Sequence, residues 1–347
     1  MTPLAVKYRP KSFDDVTEQE SIKVILKQQL ESNEVKHAYL FCGGAGTGKT
    51  TCARIFASEI NIGKGNPIEM DAASNSSVED VRNIIQQAKT KALDSEYKVF
   101  IIDECHAISL MGWQAFLKLL EEPPAKSIFI FCTTDPQKIP KTILSRVQRY
   151  DFQRISQDGI VHRLDWILAQ EIKEGNLPEG DHQDLDAVEY IAKIADGGMR
   201  DAITLMDKAL SYSKNLTLEN VVKALGTTNY DIMFQLTDKL VYGDAMAMIS
   251  IIDTLHSEGK DLKRFIKSYV QFLLDVNKYA LGCDWKQMSI PRLDEYEKRL
   301  DAWIKDNDIF TELLNEVVKL DNDIKYSSVP KCDIEARLLL WIEGDKR

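Results

Sequence analysis

The sequence GGAGTGKT at residues 43–50 constrains the fold more strongly than any other segment of this chain. It matches the phosphate-binding pattern G-x-x-x-x-G-K-[ST], whose glycines let backbone N–H groups approach phosphate oxygens closely. The apolar run HAYLFC precedes it, and a helical pattern covers residues 50–60. An ordinary glycine turn is the alternative, but this strand–loop–helix context favours a nucleotide site. In such a site Lys49 reaches the β- and γ-phosphates and Thr50 ligates Mg²⁺.

Apolar strand patterns and helical patterns alternate through the first 150 residues. The helical patterns lie around three predicted buried strands, which cover residues 37–42, 98–102 and 128–132. This alternation is typical of a parallel sheet covered by helices. After about residue 155, long helical periodicities take over. We therefore predict an α/β fold in three parts, namely a nucleotide-binding domain over 1–155 and two helical domains over 156–225 and 226–347.

The charge of the chain limits how it can contact nucleic acid. Its 44 Lys+Arg and 54 Asp+Glu give a net charge of -10, whereas a protein that binds DNA over much of its surface is usually basic. Positive and negative charges balance in residues 1–160, and the acidic excess lies beyond them. Any contact with nucleic acid is therefore expected from a local patch in the first part of the chain.

The sequence lacks the patterns of a membrane protein, of a secreted protein and of a zinc site. No apolar run approaches the ~18–20 residues needed to span a bilayer, and the N-terminal MTPLAVKYRPK has no signal-peptide core. We therefore expect a cytoplasmic protein without a membrane partner. The six cysteines show no CxxC spacing, so we expect most of them to be small buried apolar residues and not zinc ligands.

A second acidic motif follows the predicted strand at 98–102. Asp103 and Glu104 come directly after four apolar residues, which is the pattern of a carboxylate pair at the ligand-binding edge of such a sheet. Asp103 is the candidate Mg²⁺ ligand and Glu104 the candidate group that polarises the attacking water. A surface acidic turn is the alternative. For His106 we favour a solvent-facing or helix-start position over a catalytic base, because this hydrolysis depends mainly on positioned charge.

Polar and basic residues follow the predicted strand at 128–132. Thr133, Thr134 and Asp135 are suited either to bind the attacking water or the γ-phosphate, or to form a turn or helix cap. Arg146 comes shortly afterwards. An arginine at this point is either a finger that stabilises transition-state charge or a surface residue of a helix.

Together these segments resemble one protein family. The motifs are KYRPKSFDDV, AYLFCGGAGTGKTT, EMDAASNSSVEDVR, VFIIDECHAIS, FLKLLEEPP, CTTDPQKIPKTILSR and GGMRDAITLMDKA, in this order. They closely resemble the gamma/tau ATPase subunits of bacterial-type DNA polymerase III clamp loaders, a branch of the AAA+ proteins. The resemblance extends from about residue 4 to 230, and LLEEPP and TTDPQK make it much more specific than a phosphate loop alone.

The resemblance implies a fold and a function. The three predicted parts would be an AAA+ P-loop domain, a helical lid and an all-helical collar that mediates oligomerisation. Family members form hetero-pentamers with other clamp-loader subunits, bind ATP and Mg²⁺, open a ring-shaped sliding clamp and close it on primer–template DNA. Hydrolysis then releases the clamp.

The resemblance also implies roles for single residues. Thr134 corresponds to sensor 1, Arg200 to sensor 2, and Arg146 to an arginine finger that acts on ATP bound by the neighbouring subunit. Basic positions that face DNA in the family correspond to Arg82, Lys118 and Lys138, for which a solvated helix face is the alternative. The implied nucleotide-binding residues are Ala5, Arg9, Gly43, Gly44, Ala45, Gly46, Thr47, Gly48, Lys49, Thr50, Thr51 and Arg200.

The sequence departs from the family pattern at several points. Residues 61–67, where cellular members usually carry a four-cysteine zinc module, contain no cysteine, so no zinc is expected. The usual Ser-Arg-Cys reads Ser-Arg-Val at 145–147, which keeps the arginine, and Ser77 stands at a position that is usually basic. The tau extension, which binds polymerase and helicase in the family, is not present before the last residue, Arg347. We expect a short form of the subunit.

Two other functions fit the same motifs. One is a different AAA+ DNA remodeller, such as a helicase loader or a branch-migration motor. The other is a catalytically silent assembly subunit of a clamp loader, although Lys49, Asp103 and Arg200 argue for activity. The clamp-binding surface of the family lies near residues 109–113, where Met111 and Trp113 are either apolar contacts for the clamp or core residues.

Overall fold

The chain forms two compact units. The structure, a computed structural model, describes residues 2–92, 94–178, 184–225, 229–303 and 307–344. One unit, here the α/β unit, comprises residues 1–177 and 191–207, and the other, the helical unit, comprises 178–190 and 208–347. The domain boundaries predicted at 156 and 226 stay predictions, and residue 226 lies outside the described residues.

Five parallel strands form the sheet of the α/β unit, in the order β2-β3-β4-β1-β5. The strands are β1 (Ala38–Gly43), β2 (Ile68–Asp71), β3 (Lys98–Asp103), β4 (Ser127–Thr133) and β5 (Gln148–Phe152). The three predicted strands are confirmed as β1, β3 and β4. They occupy the centre of the sheet, and burial on both faces explains their continuous apolar sequences. The edge strands β2 and β5 contain alternating polar residues and were not among the predicted strands.

Helices connect these strands and continue beyond the sheet. In the order of the chain they are α1 (Leu4–Lys7), α2 (Glu20–Glu31), α3 (Lys49–Ile60), α4 (Val78–Ala88), α5 (Leu110–Glu121), α6 (Lys141–Leu144) and α7 (Gln157–Lys173). Two further helices follow, α8 (Leu185–Ile194) and α9 (Met199–Tyr212). Short 3-10 turns cover Phe13–Asp15, Cys105–Ala107, Pro136–Lys138 and Trp285–Gln287.

Aromatic rings fill the space between the central strands and helix α5. Phe100 and Phe129 stack with ring centroids 5.0 Å apart, and Trp113 lies 5.4 Å from Phe131. Trp113 is only 2% exposed, so it is a core residue, whereas Met111 is 64% exposed. Four of the six cysteines are buried in this unit, as expected: Cys42, Cys52, Cys105 and Cys132.

The helical unit has its own apolar core. Its main helices are α10 (Leu218–Leu225), α11 (Asn229–Val241), α12 (Ala245–Ser257), α13 (Leu262–Ala280), α14 (Asp294–Trp303), α15 (Asn307–Ile324) and α16 (Pro330–Gly344). Phe234, Phe272 and Trp303 form an aromatic cluster at the centre, with the centroids of Phe234 and Phe272 4.9 Å apart. These helices agree with the prediction that the chain is mainly helical after about residue 155. Within the described ranges, no helix combines the length and apolar content needed to cross a membrane.

The central packing of the sheet is testable through Phe131, whose ring is fully buried. Phe131→Ala is expected to lower the free energy of unfolding by about 3–5 kcal/mol, because the surrounding core cannot fill the cavity. Urea denaturation followed by circular dichroism measures this change. The control is Met111→Ala, at an exposed position, with an expected change within about 0.5 kcal/mol. Equal stability of Phe131→Ala and the unmodified chain would contradict the described packing.

Candidate nucleotide-binding site

The loop between β1 and α3 has a backbone that depends on glycine. Gly46 and Gly48 have φ values of 69° and 99°, in the left-handed region where side chains are disfavoured. Gly46 also lies close to the turn before α9: a Cβ there would be 3.1 Å from the Cα of Gly198. The N–H of Met199 donates to the carbonyl oxygen of Gly46 at 3.0 Å. The loop is therefore joined directly to the start of α9.

Lys49 is buried at the first position of α3, with 6% of its surface exposed. Its Nζ donates to the carbonyl oxygens of Gly43 at 2.8 Å and Gly44 at 2.6 Å. Burial lowers the pKa of Lys49, and the nearby carboxylates of Asp103 and Glu104 oppose this shift. The ammonium group is held inside the loop, where negatively charged phosphate oxygens would stabilise it.

Thr50 and Asp103 meet at the carboxyl edge of the sheet. The hydroxyl of Thr50 donates to Oδ2 of Asp103 at 2.8 Å, and the N–H of Glu104 donates to Oδ1 of Asp103 at 3.0 Å. Mg²⁺ prefers oxygen ligands and usually takes only one or two from the protein beside nucleotide phosphates. The two side chains therefore fit the Mg²⁺ that the family implies.

The carboxylate of Glu104 is held by residues from two elements. The hydroxyl of Thr134, just after β4, donates to Oε2 of Glu104 at 3.0 Å. Nδ1 of His106 lies 3.3 Å from the same oxygen and 3.2 Å from Oγ1 of Thr133. Thr133 also accepts the N–H of Asp135 at 3.0 Å, which is a turn contact. Of the two threonines, Thr134 is thus the one that reaches the acidic pair.

His106 occupies one of the two positions that the sequence analysis expected. His106 lies in the 3-10 turn Cys105–Ala107, as a helix-start position would suggest. Its side chain is 21% exposed, so of the two expected positions the helix start describes this residue. The turn that follows the left-handed Glu104, with φ of 46°, directs the imidazole towards Thr133. The local sequence contains no signal for this contact, because Thr133 lies on a different strand.

A cavity of about 280 Å³ brings most of the predicted residues together. Asp103 and Glu104 lie in its wall. Of the predicted nucleotide-binding residues, those in the wall are Ala5, Arg9, Ala45, Gly46, Thr47, Gly48, Lys49, Thr50, Thr51 and Arg200. Gly43 and Gly44 are not part of the lining and contribute their carbonyl oxygens to Lys49 instead.

Nine residues of the cavity wall were not predicted, and two of them, Tyr8 and Arg163, contact each other. Nη2 of Arg163 donates to the carbonyl oxygen of Tyr8 at 2.9 Å, and its guanidinium lies 4.4 Å from the ring centroid of Trp166. Burial lowers the pKa of Arg163. Arg163 belongs to α7, far from the phosphate loop in sequence, and no local motif indicates that it lies here.

Arg146 lies outside the cavity lining. Its guanidinium donates to the carbonyl oxygen of Thr142 at 2.8 Å, to Oγ of Ser145 at 3.1 Å and to Oε1 of Glu121 at 2.7 Å. A single chain therefore does not bring this arginine to its own nucleotide site. This is compatible with action on a neighbouring subunit, which stays a prediction.

The three candidate DNA contacts lie on exposed surface of the α/β unit. Arg82 is on α4, Lys118 is on α5, and Lys138 ends the turn Pro136–Lys138, with its Nζ 3.2 Å from Oδ2 of Asp135. Ser77, at the usually basic position, caps α4 by accepting the N–H of Asp80 at 3.1 Å. Its local role is structural, and the DNA contacts stay predictions.

Comparison with known families supports the resemblance seen in the sequence. Residues 63–156 match the family described as "DNA polymerase III, delta subunit". Residues 159–215 match "DNA polymerase III clamp loader subunit, ATPase lid domain". Both matches are to components of the same replication system.

Curated relatives are identical to this chain at about a third of the aligned positions. DNA polymerase III subunit gamma of Buchnera aphidicola is 34% identical over 292 residues, which cover 78% of this chain and 78% of the relative. DNA polymerase III subunit tau of Bacillus subtilis is 34% identical over 359 residues, covering 96% of this chain and 62% of the relative. For subunit tau of Salmonella typhimurium, the chain covers 47% of the relative. The chain thus spans less than two thirds of the length of these tau relatives.

Solved structures show the same fold. The Thermotoga maritima RuvB Holliday junction branch migration motor superposes with a TM-score of 0.52 at 20% identity, over 73% of this chain and 86% of the RuvB chain. The sequence identity is low, so this likeness shows the AAA+ fold and nothing about function.

The phosphate loop is testable through Lys49. Lys49→Ala is expected to weaken ATP binding by about 100-fold, because charge-assisted hydrogen bonds to the phosphates are lost. Isothermal titration calorimetry with MgATP measures the Kd. Lys64→Ala, at an exposed position outside the cavity, is the control and should leave the Kd unchanged. Normal ATP affinity of Lys49→Ala would contradict the phosphate-loop interpretation.

Proposed function

The chain belongs to the gamma/tau family of DNA polymerase III clamp-loader subunits, and we propose that it hydrolyses ATP as a motor subunit of a clamp loader. In this role it opens a sliding clamp and closes it on primer–template DNA. One observation carries the proposal. Lys49, the Thr50–Asp103 pair, Glu104 and Arg200 all line one cavity, as a phosphoryl-transfer site requires.

ATP binds with its phosphates in the loop before α3. The N-terminus of α3 supplies free backbone N–H groups and the positive end of the helix dipole. Lys49 then exchanges its carbonyl partners for oxygens of the β- and γ-phosphates. Thr50 and Asp103 would hold Mg²⁺, and the ion would supply positive charge that neutralises the phosphates.

Glu104 orients the attacking water. The water attacks the γ-phosphorus, and the bond between this atom and the bridging oxygen of ADP breaks. A carboxylate acts well here only if its direction is fixed, and the hydrogen bond from Thr134 at 3.0 Å provides that restraint. This supports the assignment of Thr134 as sensor 1.

Arg200 links the γ-phosphate to α9. It lines the cavity next to Met199, whose N–H already bonds Gly46 of the loop. A guanidinium that binds the γ-phosphate would favour one orientation of α9 with ATP and release it with ADP. Such a two-state element is what a ligand-driven switch needs.

Arg146 completes the site of a neighbouring subunit in a hetero-pentamer. In the single chain it is on the surface and bonds Glu121, so subunit docking must redirect its guanidinium. An arginine finger supplied by a partner is typically worth about 10³–10⁵ in rate. Hydrolysis by the isolated chain is therefore slow, and assembly, clamp and DNA together control it.

Local basic residues bind DNA despite the acidic chain. Arg82, Lys118 and Lys138 are exposed on the α/β unit, and a few phosphate contacts of this kind make binding salt-dependent. The exposed Met111, at the start of α5, is a candidate apolar contact for the clamp. Trp113 is excluded from this role by its burial.

The proposed function is tested by ATP hydrolysis of the chain with its partner subunits, with and without sliding clamp and primed DNA. Strong stimulation that needs both clamp and DNA is expected. Turnover that ignores the clamp would favour another AAA+ remodeller of DNA. ATP binding without any turnover would favour a silent assembly subunit.

The trans role of Arg146 is tested in the same assay. Arg146→Ala should keep the ATP Kd of the unmodified chain, since the residue is outside the cavity, but lose DNA-stimulated turnover by about 10³-fold or more. Arg149→Ala is the control, because Arg149 is a nearby exposed arginine that pairs with Asp151. Undiminished stimulated turnover in Arg146→Ala would rule out the finger assignment.

A further inference from the structure

One wall of the nucleotide cavity comes from a segment with little structure of its own. The cavity wall includes Ala5, Tyr8, Arg9 and Pro10. The only helix in this segment, α1, has four residues. A helix this short is not stable alone in water. Contacts from elsewhere must therefore hold the segment 4–10 in place.

Much of this support comes from one face of α7. Nη2 of Arg163 donates to the Tyr8 carbonyl at 2.9 Å, and the rings of Tyr8 and Trp166 meet edge to face with centroids 5.7 Å apart. Further along, Glu171 and Glu174 both accept hydrogen bonds from Nζ of Lys7. Arg163, Trp166 and Glu171 lie on one side of α7 at 100° per residue, and Glu174 directly follows the helix.

Glu171 is the central acceptor of this contact. Its Oε1 accepts the hydroxyl of Tyr8 at 2.6 Å and also the ammonium of Lys7. Glu171 is 7% exposed. Burial opposes its ionisation, but the hydrogen bonds from Lys7 and Tyr8 outweigh burial and hold the pKa of Glu171 below its ordinary value. Glu171 is therefore a buried carboxylate with two donors from the segment 4–10, and Asn176 also forms a hydrogen bond with it.

Glu171 is not part of the cavity lining. Along α7 it lies eight residues, or about 12 Å, beyond Arg163. Any effect of Glu171 on nucleotide must pass through Tyr8 and Lys7. The phosphate loop, by contrast, belongs to β1 and α3 and has no contact with Glu171 among the hydrogen bonds of the described residues.

We propose that Glu171 is a positioning residue for nucleotide binding, which fastens the segment 4–10 to α7 and so shapes the cavity wall beyond the phosphates. The inference rests on the proposed ATP site. It adds that the wall depends on α7, which contacts the segment through Lys7 and Tyr8. Nucleotide affinity and the attachment of α7 are then coupled through one carboxylate.

The test compares two probes, MgATP and magnesium tripolyphosphate, by isothermal titration calorimetry on the full chain. Tripolyphosphate occupies the phosphate loop but has no base or ribose to meet the wall. Glu171→Ala should weaken ATP binding by about tenfold, as expected for loss of a buried charged acceptor. Its affinity for tripolyphosphate should stay within about twofold of the unmodified chain.

Conservative variants separate positioning from a general loss of structure. Glu171→Gln keeps an acceptor for the Tyr8 hydroxyl but not the charge for Lys7, so it should restore part of the ATP affinity. Glu174→Ala is the matched control. Glu174 also accepts a hydrogen bond from Lys7, but its side chain is half exposed. It should change ATP affinity by less than about twofold.

Pairing of the two residues is tested by a double-mutant cycle of Tyr8→Phe and Glu171→Gln. If they act through each other, the effects of the two changes on the ATP Kd should be clearly less than additive. If circular dichroism shows that Glu171→Ala does not fold, the double-mutant cycle tests the proposal instead, because Tyr8→Phe and Glu171→Gln are smaller changes.

The outcomes are distinct. Unchanged ATP affinity in the Glu171 variants, or an equal loss for ATP and tripolyphosphate, would overturn the positioning role and leave the proposed function standing. Failure of the unmodified chain to bind either probe would overturn the proposed function and this inference together. A loss confined to ATP, with partial rescue by glutamine, supports the inference.

Discussion

The parallel arrangement of the sheet is the constraint on which the site depends. Because all five strands run the same way, their carboxyl ends share one edge. The order β3-β4-β1 at the centre then brings together the loop after β1, Asp103 at the end of β3 and the threonines at the end of β4. Segments far apart in sequence meet there without any specific long-range motif. An antiparallel strand in the centre would send one of these groups to the opposite edge.

Charged groups of opposite sign lie close together at this edge. The Lys49 ammonium is buried against two carbonyl oxygens, and the carboxylates of Asp103 and Glu104 lie near enough to oppose the effect of burial on its pKa. Hydrogen bonds from Thr50 and Thr134 fix the two carboxylates. The two carboxylates are therefore held in fixed directions, and such preorganised charge is the main way a protein accelerates phosphoryl transfer.

The rest of the cavity is supplied by elements outside the sheet. Arg200 comes from α9, Arg163 from α7, and Tyr8 from the segment before α2. Apolar residues of α7 and α9 are buried, Leu164 among them, and the hydrogen bond from Arg163 to Tyr8 adds a polar contact. Arg146 is not part of the cavity lining, which is consistent with the proposal that a second subunit's arginine completes the site.

The sequence by itself determined the features whose evidence is local. The phosphate loop, the acidic pair after β3 and the central strands follow from short patterns, because buried parallel strands are continuous apolar runs and the loop needs glycine at fixed positions. The edge strands β2 and β5 were missed, since their half-exposed sequences contain polar residues at alternate positions. Only the tertiary structure decided the burial of Trp113, the contact of His106 with Thr133, and the attachment of Tyr8 to Arg163 and Glu171. Those contacts join residues up to 163 positions apart, and no periodicity or motif within one segment specifies which distant side chain it will meet.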